Sequence, residues 1–372
     1  MRLKTGFRYA DTNRSRLEND RQKVATTLSQ RSDKAMTKRA PSAVACLLAA
    51  FLLFGCGGGG GGDSASLYTG ITTPAVVTDN NAEEIALQSY QAGDLSSSTV
   101  SILGVSESGN SAVGSPKLLT LARMLKESAD RMPVLSGTTV PLGSSTSAQP
   151  MATYDNTIYD GQGGSMTVHL SIDEQTGEFS GTFRFNSMHG DNGELISGLA
   201  SVSGSFDMIG GSFTRIRFSF NPITMDDGTD IVSIYGRVDL ESDGYSASAT
   251  MNIFLQDGNT LETVWISGYT MTLTDGPDAD FDGEPDYVDA TVTGKIYLPN
   301  FGCVVVTTPT PFRHYAGYML PSDGVLLVTG GEGGSAKLVV NSAIPESSGY
   351  HVEADLDGDS GYEWIGIDRP WM

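Results

Sequence analysis

The chain has few cysteines and a shortage of basic residues. Its 372 residues include three cysteines, and 23 lysines and arginines stand against 44 aspartates and glutamates. Neutralisation of phosphates by Lys and Arg supplies most of the affinity of a protein for nucleic acid. The acidic composition therefore predicts no nucleic-acid partner.

Motifs typical of catalysis are also missing. The chain has four histidines, and no two of them have the spacing of metal ligands. There is no Gly-x-Ser-x-Gly elbow and no phosphate-binding glycine loop. The stretch "MHGDNGE" groups His189, Asp191 and Glu194, but Asp-Asn-Gly is a turn signal first. We expect a protein that is not an enzyme. Triads assemble from distant positions, so a calcium-dependent hydrolase of the cell envelope is the alternative.

Long apolar runs are absent except at 43–54, and this run is too short to span a bilayer. Lys38 and Arg39 precede it, and Cys56 and six glycines follow it. This pattern resembles the lipobox of bacterial lipoproteins. The resemblance implies cleavage of 1–55, lipidation of Cys56 and attachment to a membrane through the lipid. Gly57 favours the outer membrane, in a periplasmic or surface-exposed position.

The first 35 residues are polar and rich in arginine, which would give this signal an unusually long head. Translation is therefore expected to start at Met36. Cleavage would remove Cys46 and lipidation would occupy Cys56. Cys303 is then expected to have no intramolecular disulfide partner.

The chain after Cys56 divides into four parts. Residues 56–66 form a flexible glycine-rich tether. Residues 67–132 predict a small helical segment, with one helix over 82–91 capped by Thr78 or Asp79 and a second over 115–132. Residues 133–155 have linker composition, and 156–372 predict a β-domain. The beginning of the helical segment resembles a group of uncharacterised bacterial lipoproteins, through Tyr68, Thr69, Gly70, Pro74, Ala75, Asn81 and Ala82.

Apolar and polar residues alternate through most of the β-domain, as in Met166, Val168, Leu170 and Ile172. About a dozen such runs, separated by Gly, Asp and Asn turns, predict a mainly β fold with an antiparallel meander. Its apolar face requires a sandwich or a closed or partly closed barrel. Strands of outer-membrane barrels also alternate, but the short runs, the lack of aromatic girdles and the final Met372 disfavour that alternative.

The loop "DADFDGEPDYVD" at 278–289 carries six acidic residues. Alternate carboxylates around a tight Gly283 turn converge on one point, and calcium is a hard cation that takes six to eight oxygen ligands. The loop resembles the calcium repeats of thrombospondin type 3. The predicted ligands are Asp278, Asp280, Asp282, Glu284, Asp286 and Asp289.

A second loop, "DLDGDSGYE" at 355–363, has similar spacing and resembles the calcium loops of bacterial surface proteins. Ser360 stands where those loops have a second glycine, and no carboxylate occupies the twelfth place. The predicted ligands are Asp355, Asp357, Asp359 and Glu363.

These features predict a calcium-stabilised, non-catalytic binding or structural module of the cell envelope. Its partner would be a polysaccharide or another envelope protein, met through the Ser/Thr-rich face of the sheet. A self-assembling envelope component is a third possibility.

Overall fold

The computed structural model describes only part of the chain, and all of that part belongs to one unit, Cys56–Met372. The described residues are 67–100, 151–190, 193–207, 212–243, 245–279, 284–316, 318, 320–341 and 349–371. The predicted signal, tether and second helix lie outside them, as does most of the predicted linker.

Most of the described chain forms one antiparallel sheet of fifteen strands, which confirms the predicted meander. Strands β1 to β14 lie in chain order, β15 pairs with β13, and the sheet is not closed. The strands are β1 Met151–Tyr159, β2 Ser165–Asp173, β3 Glu178–His189, β4 Leu195–Asp207, β5 Ser212–Asp226, β6 Ile231–Ser242, β7 Ser246–Asp257, β8 Thr263–Asp275, β9 Tyr287–Leu298, β10 Gly302–Tyr315, β11 Asp323–Thr329, β12 Ser335–Val340, β13 Gly349–Asp355, β14 Trp364–Ile365 and β15 Arg369–Pro370.

The alternation seen in the sequence becomes two faces of this sheet. Apolar side chains of every strand from β2 to β13 are buried and belong to one continuous core. We call the face that carries them the inner face. The opposite, outer face is rich in Ser, Thr and charged residues, because successive side chains of a strand point to opposite sides.

One helix, α1 (Ala82–Val100), covers part of the inner face. Ile85 and Ala86 are fully buried, and the Tyr90 ring lies 5.2 Å from Phe312 and 4.9 Å from Trp371. The helix contacts β7 and β8 as well as β11, β12 and β13. Strands that are distant in the sheet therefore pack around the same helix.

The helix begins where the sequence predicts but runs nine residues beyond 91. Neither Thr78 nor Asp79 caps it through a side chain. The Thr78 carbonyl accepts the backbone N–H groups of Asn81 and Ala82, and Asn81 Oδ1 accepts the N–H of Thr78 at 2.8 Å. Asn81 therefore occupies the position before the first helical residue. Among the helices of the described residues, none has the length and apolar character needed to cross a membrane.

The segment ahead of the helix is tied to the sheet. The Cys303 N–H donates to the Thr73 carbonyl, and the Ala75 N–H donates to the Cys303 carbonyl, both at 2.9 Å. Tyr68 packs on the outer face, 6.0 Å from Trp265 and 5.7 Å from Tyr297 between ring centres. Burial raises the pKa of Tyr68 to about 12.

The structure differs from the sequence analysis at Cys303, which was expected to have no disulfide partner. Its side chain is fully buried and is disulfide-bonded, and the partner lies outside the described residues. The expectation that Cys303 has no disulfide is therefore wrong for this structure. Cys46 and Cys56 are the only other cysteines in the chain.

Candidate metal centre and outer face

The second acidic loop brings its four predicted ligands together between β13 and β14. One side-chain oxygen of each lies within 4.8 Å of the others, so the cluster could hold a metal ion. Asp355 ends β13 and is 4% exposed, whereas the other three are exposed. The cluster consists of Asp355, Asp357, Asp359 and Glu363.

Backbone hydrogen bonds hold these carboxylates in place. The two Asp355 oxygens accept the N–H groups of Gly358 at 2.8 Å and Ser360 at 3.0 Å. Glu363 Oε2 accepts the Leu356 N–H at 2.8 Å and so closes the loop from its far end. A carboxylate oxygen has more than one lone pair. Each oxygen can therefore keep its backbone bond and still face an ion.

Two residues of the loop have positive φ angles, which explains its tight turn. Gly358 has a φ of 79° and packs on Gly333, in the turn between β11 and β12. A Cβ on Gly358 would lie 2.9 Å from the Gly333 Cα, so a side chain is excluded there. Ser360 has a φ of 72°, the left-handed conformation that glycine adopts with least strain.

The first acidic loop is arranged differently. Asp289 lies within β9, and its two oxygens accept hydrogen bonds from Arg313 Nε and Nη2 of β10, each at 2.8 Å. The Arg313 guanidinium also lies 3.9 Å from the centre of the Tyr287 ring. The ion pair raises the pKa of Arg313. Both carboxylate oxygens of Asp289 are thus already hydrogen-bonded to an arginine of the neighbouring strand.

The remaining predicted ligands of this loop are only partly placed. Asp286 Oδ2 accepts the Ala279 N–H at 3.3 Å. Asp278 and Glu284 are described, but Asp280 and Asp282 lie outside the described residues. A calcium site at 278–289 therefore stays a prediction.

Comparison of the chain with protein-family models, with curated proteins and with solved structures finds no match. The functional argument consequently depends on the geometry of the described residues. The kinship with bacterial lipoproteins suggested by the sequence stays a prediction.

The candidate group around His189 is an aspartate–histidine pair. Asp160 Oδ2 lies 2.7 Å from His189 Nδ1 and also accepts the His189 backbone N–H at 2.8 Å. Hydrogen bonds from His189, and from the backbone of Gln162 and Gly164, hold the pKa of Asp160 well below its usual range. Glu194 is buried nearby in sequence, and Asp191 lies outside the described residues.

Sequence reasoning missed two recesses. One is an apolar recess of about 380 Å³ between α1 and the inner face, lined by Val232, Leu255 and Ile296 among others. The other is a groove of about 430 Å³ in the outer face of β2 to β5. We call it the serine groove because Ser171, Ser180, Ser203 and Ser205 line it, together with acidic and basic residues. In the sequence, serines occupy outward-facing positions of three successive strands, and this pattern could have predicted the groove.

Proposed function

We propose that the protein is a lipid-anchored protein of the outer membrane whose β-domain is a non-catalytic binding or structural module stabilised by calcium. The convergence of four carboxylates at 355–363 carries the proposal. Carboxylate oxygens on a short, turn-rich loop suit a hard divalent cation, and calcium accepts irregular coordination more readily than magnesium. Extracellular calcium sites typically bind with dissociation constants on the order of 10⁻⁴ to 10⁻³ M.

The proposed calcium binding is tested by thermal unfolding of the full mature chain in millimolar calcium and in excess chelator. An ion that binds only the folded state at 100 times its dissociation constant stabilises by about 2.7 kcal/mol. We expect a higher melting temperature in calcium and the loss of that shift in the double variant Asp357→Asn, Asp359→Asn. Asp368→Asn, an exposed carboxylate outside the loop, is the control and should keep the shift. Identical melting curves with and without calcium would refute the calcium site.

The proposed lipid anchor depends on the chemistry of Cys56. A cysteine sulfur that carries a thioether-linked lipid cannot also form a disulfide, and Cys303 is disulfide-bonded to a cysteine outside the described residues. Labelling with palmitate and non-reducing peptide mapping of the membrane fraction separate the two states. We expect the palmitate label on the N-terminal peptide that contains Cys56. A Cys56–Cys303 peptide with no lipid would overturn the anchor.

The calcium-dependent hydrolase is the second candidate, and the Asp160–His189 pair is the observation that favours it. A carboxylate that orients a histidine is the arrangement found around many general bases. If the hydrolase proposal is correct, His189→Ala abolishes hydrolysis of envelope polysaccharide while Asp368→Asn does not. Equal activity of the two variants would remove this candidate.

A further inference from the structure

The serine groove has a floor of hydroxyl groups aligned across three strands. Ser171 of β2 is the direct cross-strand partner of Ser180 of β3, and Ser180 is the partner of Ser203 of β4. Neighbouring strands lie about 4.8 Å apart, so the hydroxyls form a row with that spacing. A hydroxyl both donates and accepts hydrogen bonds, and the row therefore suits a ligand that does the same.

One of these hydroxyls has an unmet hydrogen-bonding capacity. The Ser171 Oγ is inaccessible and has no hydrogen-bond partner among the described residues. The Ser171 hydroxyl is therefore covered, and the hydroxyls of the exposed Ser180 and the half-buried Ser203 are the ones in this row that a ligand can reach.

The charges of the groove are balanced. Arg217 and Arg215 stand on one side, but Arg217 pairs with Asp239, and Arg215 Nε lies 3.5 Å from Glu241. The opposite side carries two carboxylates, Asp173 and Glu178. Arg237 also pairs with Asp239, so three arginines face four carboxylates in and beside the groove, and the groove offers no net attraction to an anion.

The hydroxyl row continues beyond the groove along the outer face. Arg217 and Asp239 succeed Ser203 in register on β5 and β6. Threonines then continue the row on the next three strands: Thr250, Thr270 and Thr293. The groove therefore opens into a polar track that crosses most of the sheet, and a linear ligand can follow such a track.

We propose that the serine groove binds a neutral oligosaccharide segment of an envelope polysaccharide. This inference rests on the proposed function, because it names the class of ligand that the envelope module would take. The groove volume of about 430 Å³ lies within the range of small-ligand sites, roughly 300–1,000 Å³. The sugar hydroxyls bond the serine row, and the charged side chains at the rim donate to and accept from the same sugar units.

The test is titration calorimetry of the full mature chain with maltohexaose, cellohexaose and the hexamer of N-acetylglucosamine. We expect at least one neutral hexamer to bind with a dissociation constant of about 1 mM or lower. Hexagalacturonate, the charged counterpart, should bind at least about tenfold more weakly. Ser180→Ala and Ser203→Ala should each weaken binding about fivefold, as expected for one hydrogen bond.

Ser203→Tyr, which fills the groove, should abolish binding. Ser248→Ala, on the outer face of β7 and away from the groove, is the matched control and should bind like the unchanged protein. Melting curves of all variants verify that they fold. The proposal is overturned if no neutral hexamer binds, if hexagalacturonate binds more tightly, or if Ser203→Tyr binds normally.

This test is separable from that of the proposed function. Loss of sugar binding in a chain that still responds to calcium and still carries lipid would overturn the ligand class alone. Sugar binding that survives in a chain without calcium response or lipid would overturn the envelope proposal and leave the groove assignment standing.

Discussion

The two acidic loops share a spacing and differ in what their carboxylates contact. At 355–363 Asp355 is the last residue of β13, the other three acidic residues lie beyond it, and one side-chain oxygen of each lies within 4.8 Å of the others. At 278–289 the last aspartate, Asp289, is already inside β9 and bonds Arg313 of β10. The same spacing thus places the final carboxylate of the first loop inside a strand, where it bonds a cross-strand arginine, and a calcium site at 278–289 stays a prediction.

The largest expected effect compares Asp355 with Asp289. Asp355→Ala removes a buried carboxylate that accepts two part-buried backbone N–H groups and should cost about 1–3 kcal/mol. Asp289→Ala removes the partner of a partly exposed arginine and should cost about 1 kcal/mol. Chemical denaturation in chelator measures both. A larger loss for Asp289→Ala would contradict the role given to Asp355.

A pH profile sharpens the comparison, because His314 lies beside the first loop. Burial lowers the pKa of His314 from 6.5 to about 4 in the folded protein, against the opposing effect of Asp289. As the pH falls below 6.5, the unfolded chain takes up the proton first, so stability present above that pH is lost progressively toward pH 4. The loss is at most about 3 kcal/mol, at 1.36 kcal/mol per pKa unit.

Denaturation at several pH values, compared with the His314→Phe variant, checks this expectation. The variant should lose less stability between pH 6.5 and pH 4 than the unchanged protein. His169→Phe, at an exposed position on β2, controls for the loss of a histidine as such. Parallel profiles for His314→Phe and the unchanged protein would exclude the buried histidine as the source.

Breaking the Arg313–Asp289 pair should make the first loop behave more like the second. In the Asp357→Asn, Asp359→Asn background, Arg313→Gln removes a partly exposed ion pair at a cost of about 1 kcal/mol. It also frees the Asp289 carboxylate. We expect a calcium-dependent rise in melting temperature to appear with Arg313→Gln. Arg215→Gln, which breaks a different exposed pair, should not produce it.

The smallest effect concerns Ser360. Its φ of 72° is strained for a residue with a side chain, so Ser360→Gly should stabilise the protein by about 0.5–1 kcal/mol. Ser248→Gly, within β7, should instead destabilise it, because glycine weakens a strand interior. Equal signs for the two substitutions in denaturant titrations would refute the strain at Ser360.

The sequence predicted the sheet well where alternation is strong. The apolar positions of β2, β3, β5 to β7 and β9 fall on the inner face as expected. β4 was missed because its buried Ile196, Ala200 and Val202 are separated by serines and glycines that dilute the pattern. β1 begins at Met151, inside the predicted linker, for a similar reason. Choosing between a closed and an open sheet needed the pairing of distant strands, which no local pattern contains.

The same distinction holds for the sites. The ligand set at 355–363 is local, and its spacing identified all four residues that come together. Arg313 lies 24 positions after Asp289 in the chain. The loop sequence alone therefore could not show that an arginine already binds the Asp289 carboxylate. The serine groove and the disulfide of Cys303 depend in the same way on contacts between distant parts of the chain.

The topology also orders events during biosynthesis. A sheet whose neighbours are consecutive in the chain can grow hairpin by hairpin as the polypeptide emerges, with short loops to close. The helix at the front is made early, yet Glu83 bonds Arg369 and Tyr90 packs on Trp371 near the far terminus. Full burial of this helix must therefore await the synthesis of residues 369–371, and until then its apolar side chains are accessible to chaperones.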